Sequence, residues 1–490
     1  MNTFELFATL ALDRGSAAPL FRQLYAQIKA AVLRGALTPG MRLPPTRELS
    51  TLLSVSRQTV LNAYDLLIAE GFLNGTVGKG TFISSHLPIS VRDSAVRGLM
   101  RPLSARGSDY ARAMQYVGHH KGKLRAFRVS MPGLDLFPFD IWSRLEGRRW
   151  RHPDQHMGYS DPAGYAPLRE LLSVYLRSSR GVNCTPEQIV ITTGSQQALY
   201  LLTQLLLAPA DKVWVESPGY QGASAPLFAA GAQVCTVPVD AHGMNLDYGM
   251  ANYPDARMVL TTPSHQLPLG VTMSLQRRLE LLRWAGANKA WVIEDDYDSE
   301  YRYTGPPIAS LQGLDSADCT VYVGTLSKVL FPGLRLGYIV APPAMVEPLV
   351  RARAVLDRHT AIVPQMVLAD FMAEGHFGRH IKRTREAYAE RRDALTGGIE
   401  RQLADELVCG PSDSGLDLCV HFRRALDQEK IAQAALAAGV EVRPISYYES
   451  RVATPACATA PGLVLGFSAI VPVEIGLGLG VLGKVLRNAR

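Results

Sequence analysis

From residue 128 to the C-terminus, short β-branched or aromatic runs alternate with longer helical ones, and that alternation leaves few folds open. The runs at 189–193, 291–293 and 321–325 are almost continuously apolar, as strands buried on both faces are. A corner and a helical run follow each of the first two. Parallel strands need crossover connections, so this order argues for a doubly wound α/β body with a largely parallel sheet. In such a sheet ligands collect in the crevice beyond the carboxyl ends of the strands. The strand ends are therefore where chemistry is to be sought.

Several of those ends carry reactive or anion-binding residues. The run 321–327 closes on Lys328, and a lysine leaving a buried strand is partly desolvated, which frees its amine for Schiff-base chemistry. Seven residues on, Arg335 stands between Gly333 and Gly337, which let a bulky anion approach the backbone. Gly194-Ser195 opens a helix after the 189–193 strand, with free N–H groups and the helix dipole suited to phosphate. A strand at 213–217 ends in Pro218-Gly219-Tyr220, placing an aromatic where a flat ring can stack. In the Pro-rich loop 261–270, His265 and Gln266 are possible donors. Glu294, Asp295 and Asp296 crowd the end of the next strand. Metal ligation is one reading of them. An Asp beside Tyr297, with a Lys–Arg pair about thirty residues on, fits pyridoxal phosphate (PLP) better, because a carboxylate keeps the pyridine nitrogen protonated and the ring electron-withdrawing. Tyr297 can hydrogen-bond the ring oxygen, and Arg335 can pair with the phosphate.

The front of the chain has a different character. Residues 1–83 carry net charge +3 and residues 84–127 carry +6, while the remainder is −2, within a total of +7. A basic front on a near-neutral body points to a polyanion partner for the front alone. An amphipathic run (Leu20, Leu24, Ile28, Val32) is followed by a short helix after Pro44-Pro45 and a tight turn at Ser54-Val55. Ser56 is a good N-cap for a third helix with Val60, Ala63, Tyr64, Leu67 and Ile68 inward. Arg57, Gln58, Thr59 and Asn62 are left outside near its start. This is helix-turn-helix logic, able to reach base edges and phosphates of double-stranded DNA. GFLNGTVGKGTFI then reads as a hairpin wing with a Gly-Lys-Gly tip. Residues 84–127 have little periodicity and read as a flexible basic connector. His119-His120 has no ligand-spaced partner and reads as solvated.

Composition bounds the class. With 47% hydrophobic and 19% charged residues, the chain is an ordinary soluble globular protein, and 490 residues suggest at least two domains. Six cysteines stand singly without metal spacing, which suits a reducing compartment. The first residues lack a basic n-region and no apolar run approaches a membrane span, so a cytoplasmic location is expected and no metal site is.

Two resemblances follow from these motifs. GALTPGMRLPPTRELS, SVSRQTVLNAYDLLIAEG and GKGTFI resemble the winged-helix head of the GntR superfamily, here residues 16–83. By that resemblance Arg47, Ser56, Arg57, Thr59, Gly78 and Lys79 contact DNA, with Gln58 beside them, while an often basic position falls at Leu61. Residues 128–490 resemble a fold-type I aminotransferase with a smaller C-terminal α+β lobe. A winged helix fused ahead of it is similar to the MocR/GabR regulators. The resemblance implies Lys328 as the Schiff-base lysine, Asp295 (with Asp296 as alternative) as the pyridine partner, Tyr297 as ring-oxygen contact and Tyr220 as stacking aromatic. Gly194, Ser195, Gln196, Thr325, Ser327 and Arg335 would hold the phosphate. Tyr159 would reach the partner subunit's cofactor in a homodimer whose head lies against the partner's body.

Two departures from the aminotransferase pattern bear on function. His265-Gln266-Leu267 stands where an Asn is usual before Pro-x-Gly, so His265 is the candidate cofactor contact there. Val464 falls where an Arg usually grips the substrate carboxylate, with Arg443 as a conceivable substitute. The expected function is transcriptional regulation, with an amine or amino acid sensed by transaldimination at Lys328. The alternative is a PLP-dependent aminotransferase with an accessory head, and slow half-transamination is compatible with either. A third reading makes the body only a dimer scaffold.

Overall fold

The structure, a computed structural model, describes residues 7, 10–76, 80–85, 102–113, 124–153, 158–305, 308–450 and 452–489. The chain divides between Pro102 and Leu103 into two units.

In the first unit, helices α1 (Leu20–Leu33), α2 (Thr46–Leu52) and α3 (Arg57–Ala69) precede a hairpin of β1 (Leu73–Thr76) and β2 (Gly80–Ile83). Leu24, Ile28 and Val32 meet Leu49, Val60, Ala63, Tyr64 and Leu67 in one core, closed by Phe72 and Ile83. Each large apolar side chain buried there contributes roughly 1.5–3 kcal/mol. Ser56 caps α3 as expected, its Oγ accepting the Thr59 N–H at 3.1 Å. Ile68 does not join the buried stripe and is 41% exposed. At 100° per residue it points roughly 90° away from the centre of the face made by Val60, Ala63, Tyr64 and Leu67. The hairpin is antiparallel, pairing Leu73 with Ile83 through Thr76 with Gly80.

The second unit is built on an eight-stranded sheet of β3 (Ile189–Thr192), β4 (Lys212–Ser217), β5 (Gln233–Asp240), β6 (Gly243–Met244), β7 (Met258–Thr261), β8 (Trp291–Asp296), β9 (Thr320–Thr325) and β10 (Gly337–Val340). Their order is β3-β10-β9-β8-β7-β4-β5-β6. Neighbours from β9 through β5 are parallel. β10 runs against both β3 and β9, and β6 runs against β5. Every residue of β3, β7, β9 and β10 is buried, because helices cover both faces. The strand order reverses between β4 and β7, which marks the crevice where ligands gather.

A smaller lobe carries the antiparallel sheet β11 (Leu407–Cys409), β12 (Asp417–Phe422), β14 (Gly462–Gly466) and β13 (Arg443–Pro444), in that order. The helices His376–Gln402, Gln428–Ala437 and Pro472–Asn488 share its core. The basic stretch 84–127 is not all connector. Residues Ala105–Ala113 form a helix, and the Tyr110 hydroxyl donates to that of Tyr200 at 2.9 Å. Phe127 is fully buried against the smaller lobe, opposite Gly466.

Candidate cofactor site

The carboxyl ends of the strands bring the expected residues of the body to one edge. β10 starts at Gly337, opposite both Thr192 and Thr325, so the loop from Leu326 to Leu336 lies along that edge. Lys328 and Arg335 both ride on this loop. Gly194 caps the helix Ser195–Leu206 with φ 106°, and a Cβ there would stand 3.1 Å from the Arg335 guanidinium. The left-handed backbone and this close approach both require glycine. A helix N-terminus and a guanidinium thus converge, as an anion site needs. Gln196 donates to the Gly222 carbonyl at 2.9 Å and lies 3.4 Å from the Tyr220 hydroxyl, holding the aromatic over the corner. Thr325 and Ser327 are both buried, with the Ser327 N–H donating to Thr325 Oγ1 at 3.2 Å.

The acidic run at the end of β8 separates into distinct roles. Glu294 accepts the N–H groups of Leu311 and Gln312 at 3.0 Å each and so caps a short helix. Asp296 is consumed by the Tyr322 hydroxyl at 2.5 Å, by Arg180 at 3.2 Å and by Ser299. Asp295, only 4% exposed, keeps an Oδ1 with no hydrogen-bond partner. Burial first, then the carboxylates of Asp296 and Glu216, push its carboxyl up to about 7, with Lys328 opposing. A buried carboxylate lacking a partner is costly, and the N–H of a pyridinium ring is the group that would satisfy it. Among the described residues no group of three or more His, Cys, Asp or Glu could hold a metal ion.

His265 forms the next layer. Its Nδ1 lies 3.1 Å from both oxygens of Asp298 and 2.9 Å from the Tyr297 hydroxyl, while Nε2 is buried without a partner. Burial works against its protonation, but Asp298 outweighs that and raises its pKa. Gly415 packs flat on this ring, since a Cβ there would fall 1.9 Å from Cε1. Glu216 accepts from Thr261 Oγ1 at 2.5 Å and Thr262 Oγ1 at 2.7 Å, and Gln266 Nε2 reaches it at 3.3 Å, fixing the loop that carries His265.

Lys328 is half-buried, and its Nζ donates to the Ser130 carbonyl at 2.7 Å. Burial lowers its pKa, against the pull of Asp417, Asp298 and Asp295. Ser130, at φ 59°, is held in turn by Asp417, which accepts its N–H at 2.8 Å and its Oγ–H at 3.1 Å. Sequence reasoning missed Asp298, Ser130, Asp417 and Glu216. Asp298 was readable from its place in the same acidic run. Ser130 and Asp417 lie about 200 and 90 residues from Lys328, and only the fold unites them.

Together these residues fit PLP, with the Gly194–Ser195 corner and Arg335 for its phosphate, Asp295 for the ring nitrogen, and Lys328 for the aldehyde. When bound, that cofactor supplies an electrophilic carbon to which an amine can join. Tyr159 stands apart, 86% exposed, with the Arg358 guanidinium 5.1 Å from its ring centroid. Arg443 sits beside Val464 in the smaller sheet, its guanidinium 4.3 Å from the Tyr447 ring centroid.

In the first unit Arg47, Ser56, Arg57 and Gln58 are exposed and Thr59 is half-buried. Arg57 reaches Thr46 Oγ1 at 3.3 Å and Gln58 donates to Asn62 at 2.8 Å, so both stand on the outer face at the start of α3. Gly78 and Lys79 lie outside the described residues. Arg42, not singled out from the sequence, is exposed against Gly80 of the hairpin, whose Cβ would be 3.1 Å from its Nε.

Comparison with known proteins agrees with this division. The model of the gntR family of bacterial regulatory proteins matches residues 20–83, and that of aminotransferase class I and II matches residues 149–460. The chain is 38% identical over 479 residues to the probable rhizopine catabolism regulatory protein MocR of Rhizobium meliloti, covering 96% of this chain and 95% of that one. It is 32% identical over 439 residues to the pyridoxine biosynthesis transcriptional regulator PdxR of Corynebacterium glutamicum, covering 90% and 91%. Among solved structures, the α-aminoadipate aminotransferase LysN of Thermus thermophilus, complexed with N-(5'-phosphopyridoxyl)-L-leucine, superposes with a TM-score of 0.68 at 27% identity, covering 78% of this chain and 95% of that one.

Proposed function

This chain belongs to the MocR-type regulators, a gntR-family head ahead of a class I and II aminotransferase body, and on that premise we propose that it is a PLP-dependent regulator of transcription that senses an amine or amino acid. Residues 16–83 bind operator DNA through the start of α3 and the wing, and residues 128–490 bind PLP and the effector. Held by Lys328, Asp295 and the Gly194–Ser195 corner, the cofactor would supply the electrophilic carbon at which an effector amine can take the place of the Lys328 amine. Engaging or freeing the Lys328 amine would change its bond to the Ser130 carbonyl, and Asp295 would hold the proton of the ring nitrogen. His265, with Asp298 and Tyr297, would stand at the oxygen of the cofactor ring. The protein works in the cytoplasm as a homodimer, with Tyr159 at the partner's cofactor. Effector binding can shift the DNA-binding equilibrium only through its differential affinity for two states.

The single observation that carries this reading is the orphaned, buried Oδ1 of Asp295 at the same strand-end edge as a lysine and an arginine-backed helix N-terminus. No helix among the described residues is long and apolar enough to cross a membrane. The test is twofold. Protein given PLP should show the visible absorbance of a lysine-bound cofactor, lost in Lys328→Ala; its absence from the wild type refutes the cofactor assignment. Retardation of operator DNA should weaken roughly 5- to 150-fold in Arg57→Ala, as loss of a bidentate base contact costs about 1–3 kcal/mol. Steady turnover of an amino acid with a keto acid at roughly 1–10³ s⁻¹ would instead favour the aminotransferase reading.

A further inference from the structure

Resting on the reading of Lys328 as the amine-exchange residue, we propose that the recognised effector is a primary amine without a carboxylate, whose second group, an ammonium or a hydroxyl, is taken by Asp417. Asp417 begins β12, opposite Gly466 of β14, and is 8% exposed. One residue, Ser130, joins its carboxylate to the lysine amine. Ser130 gives its N–H and Oγ–H to Asp417 and takes the Lys328 amine on its carbonyl. Each carboxylate oxygen of Asp417 therefore holds one donor and has a lone pair left for another.

Among the described residues, the wall beside this carboxylate is apolar where the aminotransferase pattern has an arginine. Val464 is fully buried among Val129, Leu267, Cys419, Ile445 and Tyr448, and Tyr220 and Tyr297 pack on the same cluster. Among the described residues, three nearby arginines are engaged elsewhere, Arg335 at Gly194, Arg180 on Asp296 and Arg443 over Tyr447, and the His265 imidazole is held by Asp298. The charged groups that act on the Lys328 amine are Asp417, Asp298 and Asp295, all carboxylates. A carboxylate carried by the effector would meet like charge and an apolar surface. An ammonium or hydroxyl would meet a desolvated acceptor, where a charge-assisted hydrogen bond is strong.

The test uses the full-length, PLP-loaded protein and two carbon-matched series: ethanolamine, ethylenediamine and glycine, then aminopentanol, cadaverine and δ-aminovalerate. Each is titrated at equal free-base concentration, following the change in visible absorbance of the bound cofactor. In the tighter series the diamine or the amino alcohol should half-saturate at least about tenfold below the amino acid. The order of those two tells ammonium from hydroxyl. Asp417→Asn should erase the advantage of the diamine, and Val464→Arg should move the ranking toward the amino acid with Asp417 left in place. The inference is overturned if the amino acid binds as tightly as its partners in the wild type, or if the advantage survives in Asp417→Asn. Wild-type protein that takes up no PLP overturns the function reading as well, whereas a loaded protein with the opposite ranking overturns this inference alone.

Discussion

Replacing Asp295 with asparagine should make the cofactor-free protein more stable while depriving it of its response to PLP. The carboxyl is held at about 7 against an ordinary 3.8, mainly by burial. At roughly 1.4 kcal/mol per tenfold change in proton affinity, the charged form costs the empty fold about 4 kcal/mol at pH 8. The folded-state pKa is raised, so this destabilisation is absent below the unfolded value, grows as pH rises from about 4 to 7, and is constant above. Asparagine is neutral at every pH and retains the same unpartnered oxygen. Without PLP, Asp295→Asn should therefore exceed wild type by on the order of 2–4 kcal/mol at pH 8, with the gap falling to about two-fifths of that at pH 5. With PLP the wild type should gain stability by mass action and the variant much less. All five tryptophans lie between residues 142 and 291, so urea unfolding followed by tryptophan fluorescence reads the second unit alone. A variant less stable than wild type at pH 8 without cofactor, or one that gains as much from PLP, would refute the assignment of the orphaned oxygen to the ring.

Gly415→Ala should push the His265 ring out of register, since a Cβ would lie 1.9 Å from Cε1 at a backbone φ of 91°. The expected result is PLP affinity reduced at least tenfold with little loss of secondary structure, checked by cofactor titration and circular dichroism. Ser56→Ala removes the cap of α3 and should destabilise the first unit by about 1 kcal/mol, read by hydrogen exchange of its amides while those of the second unit hold. DNA binding should fall steeply with salt, and Arg47→Ala should reduce the slope of log affinity against log salt by about 1 if that side chain neutralises a phosphate.

Much of the site was legible because it is local: each strand end delivers its residue within a few positions of an apolar run, as at Gly194, Asp295 and Lys328. Two kinds of feature were not. Contacts made across the fold, such as Asp417 to Ser130, leave no trace in spacing or periodicity. Burial at the edge of a stripe depends on whether a neighbour happens to cover it, and Ile68 is left 41% exposed. The reversed β10 was also hidden, because a four-residue apolar run carries no sign of direction. The helix at Ala105–Ala113 escaped because its polar, Gly- and Ser-containing sequence has little apolar surface to betray it.

Ser130 makes the lysine a latch. The residues leading out of the basic connector are fastened at this point, by the amine of Lys328 on one side and the carboxylate of Asp417 on the other. Any C=N bond made at that amine leaves it fewer hydrogens to give this carbonyl. A change at the carboxyl edge of the sheet is thereby felt first at Ser130, in the segment that enters the core of the smaller lobe at Phe127.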